Sequence, residues 1–266
     1  MDAGPAHAAA ATGAPMIALH GVEKRYGSFT ALHPLNIEVR AGEVFGFLGP
    51  NGAGKPTTIR MLSGVLTPSA GQIIIDGIDI VADPVESRRR IGYIPDRPYL
   101  YDKLTAREFL RFIGGVYGVA PDQIDRRGDM LLREHGLFER RDELIEAYSH
   151  GMKQRLVLSA ALLHQPRVLI VDEPMVGLDP HGARKIKQRF REIADSGRTV
   201  FLSTHSLETA QEVCDRVGIL FRGRLIAYGT VAELLALRGS HDLQQVFMTL
   251  TEEEAAANGA PLGEDA

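Results

Sequence analysis

Apolar positions along this chain fall at two spacings. Met16–Val22, Ala31–Arg40 and Glu43–Leu48 carry them at short, strand-like intervals, with turn signals at Gly27-Ser28 and Ala41-Gly42 between them. Gln72–Ile75 and Ile91–Ile94 read as further strands. From Leu104 to Gly136 the spacing turns helical, with Phe109, Leu110, Phe112, Ile113 and Val116 as the expected buried face. Another helix is expected over about His150–Leu163. Val168–Val171, Thr199–Leu202 and Val217–Phe221 are short apolar runs, the pattern of strands covered on both faces. Helical stretches Ala183–Ala194 and Leu207–Val213 lie between them. Buried strands alternating with helices predict an α/β fold around a mostly parallel sheet.

Composition narrows the setting. The chain has 266 residues, 44% of them hydrophobic, which supports a substantial core. No apolar run reaches the ~18–20 residues of a membrane-spanning helix. Met1–Pro15 holds neither Lys nor Arg, so it lacks the basic start of a secretory signal. The single cysteine, Cys214, leaves no internal disulfide framework and fits a reducing compartment. The expected setting is cytoplasmic, with any membrane span supplied by a partner. Net charge is −4, but six of the 34 acids lie in residues 1–15 and 251–266, where there is no Lys or Arg. The remainder is near neutral and offers no broad basic surface for nucleic acid. Both ends, Ala/Gly-rich and Glu-rich, read as flexible tails.

Chemistry begins where Val44-Phe45-Gly46-Phe47-Leu48 runs into GPNGAGKPTT, Gly49 to Thr58. Strand, glycine loop and helix form the context of a phosphate-binding loop. Gly49, Gly52, Gly54 and Lys55 stand at the required spacing, with Pro50, Asn51 and Ala53 between them. In such a loop backbone N–H groups and a helix N-terminus surround phosphates, and the lysine adds a point charge. A second acidic site follows at RVLIVDEP, Arg167 to Pro174. A hydrophobic strand ending in Asp172-Glu173 puts two carboxylates at the sheet edge where α/β proteins hold ligands. Asp172 suits Mg²⁺ bound through water, and Glu173 suits polarisation of an attacking water.

The order of motifs then resembles the ATP-binding subunit of an ABC transporter, over roughly residues 16–240. After the phosphate loop come SHGMKQ (Ser149–Gln154), VDEP, GLDP (Gly177–Pro180) and STH (Ser203–His205). The wording of Ile91–Leu110, Tyr148–Leu156 and Gly223–Leu234 is similar to bacterial exporters whose ATPase and membrane parts are separate chains. The resemblance implies a P-loop NTPase core with a mostly parallel sheet, an antiparallel β subdomain, and a helical subdomain inserted at about 97–157. It implies ATP and Mg²⁺ as ligands. It also implies a separate permease, a homodimer or a heterodimer with a second ABC ATPase, and a place at the inner face of the membrane. By resemblance, Tyr26 stacks on adenine, Ser149 and Gly151 start a helix that meets the γ-phosphate of the other subunit, Asp179 links the two sites, and His205 contacts the γ-phosphate. Ser149 also fits an N-cap. Residues 241–266 are expected to form a C-terminal segment ending in an acidic tail.

Three positions depart from the family pattern. His150 replaces a glycine. Asp96 stands where Gln is frequent and can still ligate water or metal. Pro56 replaces the Ser/Thr hydroxyl that binds Mg²⁺ directly. Proline also removes an N–H and disfavours helical backbone at Lys55. Thr57 and Thr58 follow with hydroxyls of their own. An ATPase working with this altered loop is the primary reading, because Glu173 and His205 are both present. The alternatives are a degenerate, hydrolysis-deficient subunit, and a soluble ABC ATPase acting on ribosomes or DNA. Against the second, proteins of that kind usually carry two cassettes in one chain or long coiled insertions, and this sequence shows neither.

Overall fold

A computed structural model of the chain describes residues 14–97, 99–174 and 180–257. Two sheets organise it. In the first, β1 (Ile17–Tyr26), β2 (Phe29–Val39), β4 (Ala70–Ile75) and β5 (Ile78–Asp79) pair antiparallel in the order β2-β1-β4-β5. In the second, β3 (Val44–Leu48), β6 (Ile91–Ile94), β7 (Val168–Asp172), β8 (Thr199–Thr204), β9 (Arg216–Phe221) and β10 (Arg224–Thr230) take the order β10-β9-β3-β8-β7-β6. Its strands run parallel except β10, which returns antiparallel beside β9.

The apolar runs make sense on this sheet because successive side chains leave on opposite faces. Phe45, Phe47, Ile170 and Phe201 enter the core shared with the antiparallel sheet. Val44, Leu48, Val171, Val200 and Leu202 enter the other core, beneath the helices. The ring of Phe201 lies 5.4 Å from Phe45 and 5.5 Å from Phe47. Each fully buried ring contributes ~1.5–3 kcal/mol, so strand order here is fixed by packing on both sides.

The helices are α1 (Lys55–Leu62), α2 (Pro84–Arg89), α3 (Ala106–Val116), α4 (Pro121–Glu134), α5 (His150–Leu162), α6 (Pro180–Asp195), α7 (Leu207–Val213), α8 (Val231–Leu237) and α9 (Leu243–Ala257). None of the described helices is long and apolar enough to cross a membrane. The helical region expected from Leu104 to Gly136 is two helices. The chain turns at Gly118, and Pro121 opens α4, a position where its missing N–H has no intrahelical partner. A capping box between Thr105 and Glu108 starts α3.

Two expectations are corrected. The buried face of α3 is Ala106, Phe109, Leu110 and Gly114, while Phe112 and Val116 are exposed. Five apolar residues in eight cannot all face one way on a helix. Phe112 instead packs edge-on against Tyr101. Second, residues 251–257 continue α9 rather than forming part of a flexible tail. Leu243, Val246, Thr251 and Ala255 are buried, and Arg238 grips Glu253 through both carboxylate oxygens. Residues 258–266 and 1–13 lie outside the described residues.

Candidate nucleotide site

β3 is wholly buried and delivers its chain directly to the glycine loop at the C-terminal edge of the parallel sheet. A Cβ at Gly49 would stand 2.3 Å from the Leu220 carbonyl oxygen, so only glycine passes there. Gly54 caps α1 with φ of 110°, a left-handed conformation that glycine adopts without strain. Lys55 is the first residue of α1 and is buried. Its ammonium donates to the carbonyl oxygens of Gly49 and Pro50, which folds it over the loop. Burial lowers its pKa, while the nearby carboxylates of Glu173 and Asp172 act the other way.

Pro56 occupies the second position of α1, exposed to solvent. Lys55 keeps its helical place despite the proline after it. The first turn of a helix leaves its N–H groups without intrahelical partners, so the fold loses nothing at Pro56. What is lost is one donor and one hydroxyl toward the ligand space. Thr57 is partly exposed beside it. Thr58 corrects an expectation. Its side chain is fully buried and its hydroxyl donates to the Gly54 carbonyl at 3.1 Å, which commits that hydroxyl to the helix.

The acidic groups come from the ends of adjacent strands. Asp172 ends β7 and lies opposite Ser203 of β8 in the parallel register. Burial raises the Asp172 pKa, Glu173 and Asp96 push the same way, and the Ser203 hydroxyl and Lys55 oppose them. Glu173 follows with φ of 47°, uncommon for a non-glycine residue, and its N–H donates to the Ser203 carbonyl at 3.0 Å. That backbone turn sends its carboxylate toward β8. There the Thr204 hydroxyl donates to it at 3.3 Å and His205 Nδ1 meets it at 2.9 Å. Thr204 in turn accepts the Ser206 N–H at 3.0 Å, so the Glu173–Thr204–His205 contact is held by the start of α7.

Other expected positions are distributed as follows. Asp96 is exposed in the loop after β6, and with Glu173, Gln154 and Phe190 it lines a cavity of about 20 Å³. That is room for about one water. Ser149 caps α5, its hydroxyl accepting the Met152 N–H at 3.4 Å, with Gly151 in the first turn. Both belong to the helical unit rather than to the sheet edge. Tyr26 ends β1, half exposed, with the Lys24 ammonium 5.3 Å from its ring centre. Asp179 lies outside the described residues.

Sequence reasoning missed Thr204 and Tyr93. Thr204 sits inside the STH motif, so its adjacency to His205 was the available signal. Tyr93 gave none. Its hydroxyl is pushed up to about 12 by burial and by the neighbouring Asp172. Among the described residues, no three His, Cys, Asp or Glu side chains form a metal cage. The donor set fits instead a hydrated Mg²⁺ that takes one carboxylate and shares phosphate oxygens.

A glycine loop with a buried lysine, facing two carboxylates and a histidine on neighbouring strands, defines a nucleotide-hydrolysing α/β core. Comparison with known proteins specifies it. The family described as ABC transporter matches residues 32–176. The linearmycin resistance ATP-binding protein LnrL of Bacillus subtilis (strain 168) is 38% identical over 87% of this chain and 74% of its own length. The daunorubicin resistance ATP-binding protein DrrA3 of Streptomyces coeruleorubidus is 38% identical over 92% of this chain and 78% of its own length. A solved structure described as the ATP binding subunit of an ABC transporter superposes with a TM-score of 0.83 at 35% identity, covering 89% of this chain and 99% of that one. The chain belongs to the ABC transporter family, as an ATP-binding ATPase subunit.

Proposed function

We propose that this chain hydrolyses ATP to power an exporter whose membrane-spanning part is a separate permease. The observation that carries the reading is the grip of Thr204 and His205 on Glu173, beside Asp172 and Lys55. The drug-resistance names of its relatives support export as the direction. The permease would hold the subunit at the inner face of the membrane.

Each residue has a task in that reaction. The loop Gly49–Thr57 receives the phosphates on backbone N–H groups and the α1 terminus. Lys55 leaves the Gly49 and Pro50 carbonyls and turns its charge to the β- and γ-phosphates. Mg²⁺, when bound, neutralises charge developing between those phosphates; Asp172 would hold it through water, with Asp96 as a further water ligand. Glu173 accepts a proton from the attacking water. Thr204 and His205 orient Glu173, and His205 is placed to read the γ-phosphate from the same spot. Tyr26 offers its half-exposed ring to adenine.

Ser149 and Gly151 start a helix, where an anion is favoured, but they lie on the helical unit. We therefore assign them to the site of a second subunit, with Asp179 between the two sites. ATP closes the pair, and hydrolysis with product release reopens it. The hydrolysis-deficient alternative rests on Pro56 alone, and the intact Glu173–His205 contact argues against it. Sedimentation of the Glu173→Gln protein with Mg-ATP and its permease tests the scheme. A nucleotide-dependent dimer is expected; a strictly monomeric ATPase would refute shared sites.

A further inference from the structure

Away from the nucleotide site, a cleft of about 420 Å³ opens between the helical unit and the core, lined by α4, α5 and α6. Its charge is unbalanced. Both carboxylates that line it, Glu134 and Glu192, are taken by one guanidinium, that of Arg189, at 2.5 and 3.1 Å. Among the described residues, Arg133, Arg155 and Lys185 have no carboxylate within ion-pair distance. Arg133 rests on the ring of Phe138, and Arg155 donates to the carbonyls of Gly151 and His135.

Two lining residues also keep a buried polar atom without a partner. The Arg189 Nε–H is buried without a partner. The Ser159 hydroxyl donates to the Arg155 carbonyl at 2.8 Å, so it accepts from His135 Nδ1 at 2.7 Å. The proton of His135 is then on Nδ1, and its buried Nε2, also without a partner, is an acceptor. Burial together with Arg189 and Arg155 keeps this imidazole neutral, down to about 4.

We propose that this cleft binds a small, compact phosphate anion, a phosphate monoester or pyrophosphate. Its anionic oxygens would take the exposed Arg133 guanidinium and Lys185 ammonium, with the charge of Arg155 beside them. The volume admits such an ion. Because Arg155 also holds the Gly151 carbonyl, an occupant would sit against the base of the α5 start. It would thereby act on the helical unit.

Sodium pyrophosphate titrated calorimetrically into the full chain at low salt is the test, using the unaltered protein, Lys55→Met, and the double variant Arg133→Glu/Lys185→Glu. Both cleft substitutions are at exposed side chains. Binding that survives Lys55→Met and weakens about tenfold or more in the double variant supports the cleft site. ATP affinity in the same preparations reports the phosphate loop separately and is expected to be unchanged by the double variant. Pyrophosphate binding that vanishes with Lys55→Met and ignores the double variant overturns the proposal. So does cleft-dependent binding of a 251–266 peptide without any of pyrophosphate, which would assign the cleft to an acidic segment.

Discussion

The sheet edge and the helical unit solve opposite problems. At the edge, Lys55, Asp172, Glu173 and Thr204 are each fixed by a buried strand end or a helix start; Lys55, Asp172 and Glu173 sense one another's charge, and Thr204 holds Glu173. In the helical unit, α3, α4 and α5 pack on one another, with Gly114 and Gly128 letting Ile124 and Leu110 approach, and their buried side chains join the same core as Val44, Leu48 and Val171 of the sheet. Its surface carries ion pairs such as Arg111–Asp125, Lys103–Glu146 and Lys153–Asp102. Exposed pairs of this kind contribute ~0–1 kcal/mol each. Chemistry is carried by buried strand ends and a helix start, and Ser149 by the helical unit packed against them.

The sharpest way to break the comparison is at the edge. Glu173→Gln keeps the shape and removes the base; hydrolysis is expected to fall ~10²–10⁴-fold with ATP binding retained, measured by phosphate release and nucleotide titration. Gly49→Ala forces a Cβ toward the Leu220 carbonyl, 2.3 Å away, and is expected to cost ~1–3 kcal/mol in a urea melt and to displace the loop, with ATP affinity falling.

The helical side has a pH signature. The folded pKa of His135 is about 4 against an ordinary 6.5, so the unfolded chain binds more protons between those values. Stability should therefore fall as pH drops from about 6.5 toward about 4, by about 3 kcal/mol in all. The groups facing this imidazole are Arg189, Arg155 and Ser159. Melting temperatures of His135→Gln should depend less steeply on pH over that window. A smaller effect is expected at Thr204→Val. Losing one hydrogen bond to a carboxylate there should slow turnover by about tenfold, through ~1.5 kcal/mol, without changing nucleotide affinity.

What the sequence disclosed follows the same division. The phosphate loop, β7 with Asp172-Glu173, β8 leading to His205 and the α5 cap were legible because each couples a local pattern to a motif. The α3 face was misjudged because apolar residues there outnumber the positions that one helix face can bury. The helix α9 was hidden by Glu252–Glu254 and the alanines around them, which read as tail composition. It forms because Leu243 and Val246 reach a core assembled by distant elements. The cleft between α4 and α6 was illegible for the same reason. Its cations come from segments that only the fold brings together, and each alone reads as a solvated helix face.

Pro56 bears on the central claim, that this altered loop still serves a competent site. The most direct measurement is Mg-ATP hydrolysis by the protein with its permease, beside Pro56→Thr and Glu173→Gln. The account predicts turnover by the unaltered protein, a ~10²–10⁴-fold loss with Glu173→Gln, and ATP affinity raised by ~10–100-fold with Pro56→Thr as a charge-assisted contact returns. A silent native protein that Pro56→Thr restores to full turnover would contradict it.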